Sequence, residues 1–462
     1  MKNKLQVVQA FDRALIAEIP MDGAQELARK LELAVLTFQN RKKWMKPHER
    51  MAILKRTAQL LAADQERFIR LIAQEGGKPW VDAAVEVVRA IDGINNAAEV
   101  LRYFAGKEVP MGLSAASDNR WAFTTKEPLG VVAAISAFNH PLNLIVHQIA
   151  PAIAVGCPVI IKPASTTPLS CIELVKLFRQ ADLDEGWCQT LITDDTNLAE
   201  QFATDARIAF LSFIGSAKVG WSLRTKLAPG TRCALEHGGV APVIVDPSAD
   251  ISNTIQALVK GGYYHAGQVC VSVQRIFVHQ DIISPFLEAF VTRIKTLRVG
   301  DPLFEETEVG PLILPRETDR VMDWIDEAVA QGATLFGGGR FSNTTLLPAV
   351  LYNPSLESKV SQLEVFGPVT CVYVYDKIEQ AIHQANALPF AFQASIFSEN
   401  LASALKAAES LDASAVMIND HTAFRTDWMP FAGLKQSGYG VGGIPNTMHE
   451  MSKEKMIVLR RG

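Results

Sequence analysis

From residue 130 onward the chain alternates short apolar runs with amphipathic helical patterns. That alternation constrains the fold more than any other feature of the sequence. VVAAISAF (131–138), PVIIKP (158–163), RIAFLSFIGS (207–216), RCALE (232–236) and PVIVD (242–246) read as buried strands. Helical patterns fall between them near 142–155, 168–180, 196–203 and 217–227. Strand–helix alternation means parallel strands joined by crossovers. After 250 it repeats: helix 252–264, strand QRIFV (274–278), helices 284–296 and 316–331, strand YVYD (373–376), helix 377–386, strand ASIFS (394–398), helix 400–409 and strand AVMIND (415–420). The fold class is α/β, with two nucleotide-binding-like units and a cleft between them.

The first hundred residues read as helices over about 22–39, 47–75 and 79–105, where apolar residues recur at three-to-four spacing. RWAFTTKE (120–127) alternates like an exposed-edge strand, and KMIVLR (455–460) is strand-like as well. Both lie outside the α/β units, and unpaired edges invite partners. At 462 residues the chain is too long for one simple core. Its net charge of −4 provides no basic field for nucleic acid or an anionic membrane surface. Six cysteines are scattered with no CxxC pair, which argues against zinc sites and a disulfide framework and points to a reducing, cytoplasmic setting. No metal is expected. The start, MKNKLQVVQAFDRAL, lacks the apolar core of a signal peptide. The most apolar window, LNLIVHQIAPAIAVGCPVII (142–161), is interrupted by His147, Gln148 and two prolines, and fits a buried helix and strand better than a membrane span. Small molecules and further copies of the chain are the expected partners.

SGYGVGG contains Gly438-x-Gly440-x-x-Gly443, a dinucleotide fingerprint on paper. It follows no strand long enough to begin a βαβ unit, so it reads as a turn-rich loop. The strand ends are more informative. SAFNH sets Asn139 past the first strand, IIKPAS sets Lys162 and Ser165 at the second, FIGS sets Gly215 and Ser216 at the third, and ALEHGG sets Glu236 at the fourth. Ligands of α/β sheets bind at the carboxyl ends of strands, and a helix N-terminus following FIGS can face a phosphate. GGYYHAGQVC (261–270) ends on Cys270, either inert filler or a nucleophile.

FNHP, IIKPASTTPLS, FIGSAKVG, LEHGG, GQVC, EVFGPV and IND…PFAGLKQSG occur in this order. As an ordered set they resemble the NAD(P)-dependent aldehyde dehydrogenase superfamily across essentially the whole chain. The resemblance implies an aldehyde-dehydrogenase-like fold with two Rossmann-like domains and a small β oligomerisation element. Residues 1–117 and 130–237 would form the cofactor-binding domain and 238–432 the catalytic domain. Segments 118–129 and 433–462 would bridge subunits in a homodimer or homotetramer. It implies Cys270 as nucleophile, Glu236 as base for the hydrolytic water and Asn139 as oxyanion donor, with Lys162 counted beside them. Lys162 and Ser165 would line the adenosine ribose and Ser216 the pyrophosphate, with Gly215 next to it. Glu364 and Phe366 would hold the nicotinamide ribose and ring, and Ser136 and Phe138 would complete the cofactor contacts.

A thiolate converts an aldehyde into a hydride donor as a thiohemiacetal; the thioester that remains needs an activated water. Relatives that transfer the acyl group to coenzyme A differ at the Glu236 position, so its presence implies release of the free acid. Serine at 165 removes the repulsion that a glutamate would exert on a 2′-phosphate, so NAD is expected with NADP possible. His237 reads as packing or a supporting contact. Glu236 as a strand-end carboxylate and Phe366 as plain core are the structural alternatives.

The segment from 419 to 451 resembles enzymes for small aldehydes with an anionic tail, with His140 and Arg425 at the substrate mouth. Val269 stands where related enzymes for phosphorylated substrates carry an arginine. A monoanion is therefore expected, with sulfoacetaldehyde ahead of phosphonoacetaldehyde, lactaldehyde and succinate semialdehyde. Arg425 in a surface or subunit-interface ion pair is the other reading. A cysteine-dependent hydrolase using His265 or His237, and a non-catalytic scaffold, are the rival classes.

Overall fold

The apolar runs after residue 130 assemble into a six-stranded sheet in the order Gly438–Tyr439, Arg232–Glu236, Ile208–Ile214, Val131–Ile135, Val159–Lys162, Cys188–Thr190. Neighbours are parallel except the first pair, where Gly438 lies opposite Glu236 in antiparallel register. Val132, Ala134, Val159 and Ile161 enter one core, while Val131, Ala133, Ile160 and Leu211 enter another. Both faces are buried, so the central strands run apolar at consecutive positions, as in Val131–Ile135 and residues 159–161, and not at alternate ones. The chain runs from Val131–Ile135 outward to Val159–Lys162 and Cys188–Thr190, then returns to lay Ile208–Ile214 on the other side. The order reverses between Val131–Ile135 and Ile208–Ile214, which opens a crevice at their carboxyl ends.

The structure is a computed structural model that describes residues 4–461; residues 1–3 and 462 of the expected outer segments lie outside them. A second, seven-stranded sheet has the order Thr334–Gly337, Ala349–Tyr352, Val369–Tyr375, Arg275–His279, Pro242–Val245, Gln393–Phe397, Ala415–Ile418. It is parallel apart from its first pair and has its own core around Phe277, Phe286 and Phe290. The α/β expectation with two parallel sheets holds.

Several local expectations are corrected. The helix expected over 47–75 is two, Pro47–Ala63 and Gln65–Gly76, broken where Asp64 leaves helical geometry at φ −117°, ψ 20°. The helix expected to reach 105 ends at Val100. RWAFTTKE is not an edge: Arg120–Pro128 is the central strand of a three-stranded sheet, between Ser452–Arg460 and Glu108–Val109. SGYGVGG is not merely a loop, because Gly438–Tyr439 closes the six-stranded sheet. Within 433–462, Ile444, Met448 and Met451 sit in the core of that same unit, Leu434–Lys435 pairs with Phe390–Ala391, and the strand Ser452–Arg460 joins the three-stranded sheet. A hairpin, Lys4–Val8 with Leu15–Pro20, was not foreseen. Among the described residues no helix is long and apolar enough to cross a membrane.

Candidate active site

The crevice at the sheet reversal deepens into a cavity of about 570 Å³ whose wall includes Ser136, Phe138, Asn139, His140, Gly215, Ser216, Glu236, Cys270, Glu364, Phe366 and Arg425. That size suits a small-molecule site. Of the residues expected to bind or react, Lys162 and Ser165 are not on the wall, where Ala164 and Thr166 stand instead, and neither is His265 of the rival hydrolase reading. The Lys162 ammonium donates instead to the carbonyl of Pro163 at 3.3 Å, and burial lowers its pKa.

Cys270 is delivered by an unusual backbone. His265, Ala266 and Gly267 all have left-handed φ, at 49°, 53° and 70°. The loop is fastened at Gln268, whose side-chain amide donates to the carbonyl of Pro311 at 3.1 Å and accepts from the Ile313 N–H at 2.9 Å. The Asn139 amide, 4% exposed, donates to the carbonyl of Gln268 at 2.9 Å. One amide proton of Asn139 thus braces the cysteine loop, and the other is left for a ligand.

Cys270 has no charged neighbour in sequence, yet the fold surrounds it with Glu364, Arg425 and Glu236. Burial pushes its thiol up to about 12; Glu364 and Glu236 act in the same direction and Arg425 against them. Burial also raises Glu236, with Arg425 opposing. Burial pushes Glu364 up to about 8, Arg320 and the Gly239 N–H pulling the other way. A Cβ on Gly238 would stand 1.7 Å from Glu364 Oε1, so only glycine lets that carboxyl into its place.

Ser136 Oγ and Glu364 Oε1 are among the buried polar atoms of the wall that have no hydrogen-bond partner. Ser216 begins the helix Ala217–Lys226 without capping it by its own side chain, so the first amides face the crevice uncovered. Phe138 and Phe366 meet edge to face at 5.8 Å between ring centres. These features suit a nucleotide cofactor: an anion site at a helix N-terminus, two orphaned polar atoms and an aromatic pair. His237 hydrogen-bonds the Gly215 carbonyl through Nδ1 at 2.8 Å and packs edge-on against Phe213.

Behind the Asn139 loop is a buried polar cluster. Lys78 pairs with Glu86, and its ammonium also donates to His140 Nδ1 at 2.8 Å. Glu86 accepts the backbone N–H groups of Leu142 and Asn143 at 2.9 and 3.0 Å, at the start of the helix Asn143–Val155. Burial, then Lys78, pushes His140 down to about 4. His140 is therefore neutral and offers the cavity its Nε2 side without a charge. Arg89 and Tyr264 also reach the wall. Arg89 grips Asp427 with two hydrogen bonds, at 2.7 and 3.2 Å. Arg425 lies with its guanidinium carbon 3.5 Å from the ring centre of Phe431. Sequence reasoning missed Arg89 and the cluster behind it. Among the described residues no group of His, Cys, Asp and Glu is placed to hold a metal ion.

The sequence-family model described as "Aldehyde dehydrogenase family" matches residues 1–457. A 3-sulfolactaldehyde dehydrogenase of Priestia aryabhattai is 35% identical over 456 residues, 99% of this chain and 95% of its own. A lactaldehyde dehydrogenase of Methanocaldococcus jannaschii is 34% identical over 464 residues, 100% of this chain and 98% of its own. The crystal structure of the glyceraldehyde-3-phosphate dehydrogenase GapN from Methanocaldococcus jannaschii, complexed with NADP, superimposes with a TM-score of 0.95 at 34% identity, covering 100% of this chain and 99% of that one.

Proposed function

The chain belongs to the aldehyde dehydrogenase family, oxidoreductases that oxidise aldehydes with NAD(P), and we propose that it oxidises a small aldehyde with a singly charged anionic tail to the free acid. The observation that carries this reading is that Cys270, Glu236, Asn139 and Arg425, far apart in sequence, share one cavity wall.

In this reading Cys270, as thiolate, adds to the aldehyde carbon. The Asn139 amide proton not used by Gln268, together with the Cys270 N–H, receives the developing alkoxide; one such donor is worth about 3 kcal/mol. The positive charge of Arg425 favours the thiolate against the burial that opposes it. The bound nicotinamide supplies the hydride acceptor. Ser136, Phe138, Gly215, Ser216, Glu364 and Phe366 would hold that cofactor, with Lys162 and Ser165 beyond the wall toward the adenosine end. Glu236 then takes a proton from water, whose oxygen attacks the thioester carbon; the C–S bond breaks and the acid leaves. Overall, aldehyde, NAD(P)⁺ and water give acid, NAD(P)H and a proton.

NAD is the expected cofactor. NADP use is supported by Ser165 and by the NADP complex of the structural relative. For the substrate, sulfoacetaldehyde or a hydroxylated homologue is favoured. The name of the 3-sulfolactaldehyde relative supports a sulfonate tail. His140 is neutral, Arg89 is engaged by Asp427, and Arg316 and Arg320 both pair with Glu317, so Arg425 is the cation on the wall left to meet one negative charge. Pairing of copies through the strand Ser452–Arg460, an edge with Met456, Val458 and Leu459 exposed, belongs to the same proposal.

The test is reduced-cofactor formation with NAD and NADP separately, against sulfoacetaldehyde, phosphonoacetaldehyde, lactaldehyde, succinate semialdehyde and propanal, with Cys270→Ala as control. A Cys270-dependent signal with sulfoacetaldehyde well above propanal is expected. Propanal as the best substrate would sink the anionic-tail reading while leaving the enzyme class intact.

A further inference from the structure

Asp427 is buried and accepts four hydrogen bonds: from Arg89 Nε at 3.2 Å and Nη2 at 2.7 Å, from the Asn143 amide at 3.0 Å and from His147 Nε2 at 2.7 Å. With the His147 Nε2 proton turned to Asp427, its Nδ1 is a lone pair. That atom lies 3.3 Å from Arg425 Nη2, which donates to it. Burial, then Arg425, pushes His147 down to about 4, so the ring stays neutral and Nδ1 stays an acceptor. Among the described residues Arg425 makes no ion pair, and its Nε is buried without a hydrogen-bond partner.

The contrast between the two arginines is informative. Arg89 is neutralised by a carboxylate that holds it with two bonds. Arg425 is held by a neutral acceptor on one edge and an aromatic face, which position a guanidinium without spending its charge. We propose that His147 is a positioning residue for substrate selection: fixed by Asp427, it takes one N–H of Arg425 and leaves the others, Nε among them, for a single anionic group on the substrate. This inference rests on the anionic-tail reading above. It narrows the tail to a carboxylate or sulfonate, because a dianionic phosphonate would call for the second guanidinium that Asp427 already occupies.

The test uses the full chain and steady-state kinetics with sulfoacetaldehyde and propanal. His147→Gln keeps an amide in reach of Asp427 and removes the acceptor from Arg425. His147→Asn returns a carbonyl oxygen near the place of Nδ1. His147→Gln is expected to raise the sulfoacetaldehyde-to-propanal ratio of KM at least tenfold while the ratio of kcat holds. His147→Asn is expected to restore the KM ratio to within about threefold of wild type. Arg425→Gln should raise the same ratio, and combining it with His147→Gln should add nothing further.

Equal KM changes for both aldehydes in His147→Gln, or full additivity with Arg425→Gln, would overturn the positioning role. If Arg425→Gln itself leaves the ratio unmoved, the anionic-tail reading fails instead, so the two failures are distinguishable. Should the His147 variants not fold, ethanesulfonate as an unreactive competitor answers with His147 in place. The groups facing His147 are Asp427, Arg89 and Arg425, and the raised carboxyls of Glu236 and Glu364 share the wall with Arg425. In Glu236→Gln with Glu364→Gln, which removes those carboxyls, the neutral ring leaves the ethanesulfonate dissociation constant flat from pH 6 to 8. Tightening as pH falls in that variant would mean a protonated Nδ1 and would overturn the proposal.

Discussion

The backbone of Gly267 packs directly on that of Gly367: a Cβ at 267 would stand 2.2 Å from the Gly367 carbonyl oxygen. The GQVC and EVFGPV segments, almost a hundred residues apart, are thereby seated against each other, and both carry left-handed residues at the contact, Gly267 at φ 70° and Phe366 at φ 49°. Gly267→Ala meets both an unfavourable φ and a backbone clash. Strain of this kind costs about 1–3 kcal/mol when the surroundings hold firm. We expect a fall of several degrees in thermal midpoint and a loss in kcat/KM greater than tenfold. An unchanged kcat/KM would mean that the seating does not matter to the reaction.

The Cys270 thiol, pushed up to about 12, is almost entirely protonated at neutral pH without ligands. Since the thiolate is the reactive form, iodoacetamide should modify Cys270 slowly at pH 7 and about tenfold faster per pH unit up to pH 10, with no plateau. Arg425→Gln removes the charge that favours the thiolate and should slow the reaction at each pH. Glu364→Gln removes an opposing charge and should speed it above pH 8. A plateau near pH 8 would contradict the burial argument.

Glu364 carries a related prediction with its own sign. Its pKa is about 8 in the fold and about 4.3 in an unfolded chain. A raised folded value means that its contribution to stability is complete below the unfolded value and is lost as pH rises through 8. The difference in thermal midpoint between Glu364→Gln and wild type should therefore widen in the variant's favour from pH 5 to 8 and level off above. After allowance for partial solvent access the effect is about 1–3 kcal/mol. If Glu364 holds the cofactor ribose as proposed, the same ionisation would ready it to accept the hydroxyls, so the KM for NAD should fall as pH passes 8 in wild type and lose that dependence in Glu364→Gln.

These residues differ in how visible they are in the sequence. The strands that build the crevice are largely apolar runs, and polar residues at their ends, Asn139, Ser216 and Glu236, mark where a ligand would lie. Cys270 is set off by glycine and glutamine. Asp64 gives no comparable signal, since neither proline nor glycine marks the break it makes between two helices. Arg89 and Glu86 are charges on the helix Trp80–Val100, where polar positions normally face water; only the packing of that helix against Asn143–Val155 turns them inward. His147 was visible as a polar interruption of the most apolar window. Its meaning depended on Asp427, 280 residues later, which no periodicity connects to it.

The pair Lys78–Glu86 supports the last prediction. Both are buried: Glu86 holds two backbone amides at the start of Asn143–Val155, while Lys78 holds His140. Burial raises the Glu86 carboxyl, but the Lys78 ammonium outweighs it and keeps it ionised. Lys78→Met strands a buried carboxylate, and removing one partner of a buried pair costs about 3–5 kcal/mol. Lys78→Met with Glu86→Gln leaves no charge behind and keeps an oxygen for the amides, so the double variant should recover much of the thermal midpoint lost in the single one. Its activity should recover less, because His140 still lacks the donor that fixes its ring beside Asn139. Full recovery of kcat/KM in the double variant would show that Lys78 serves the fold alone.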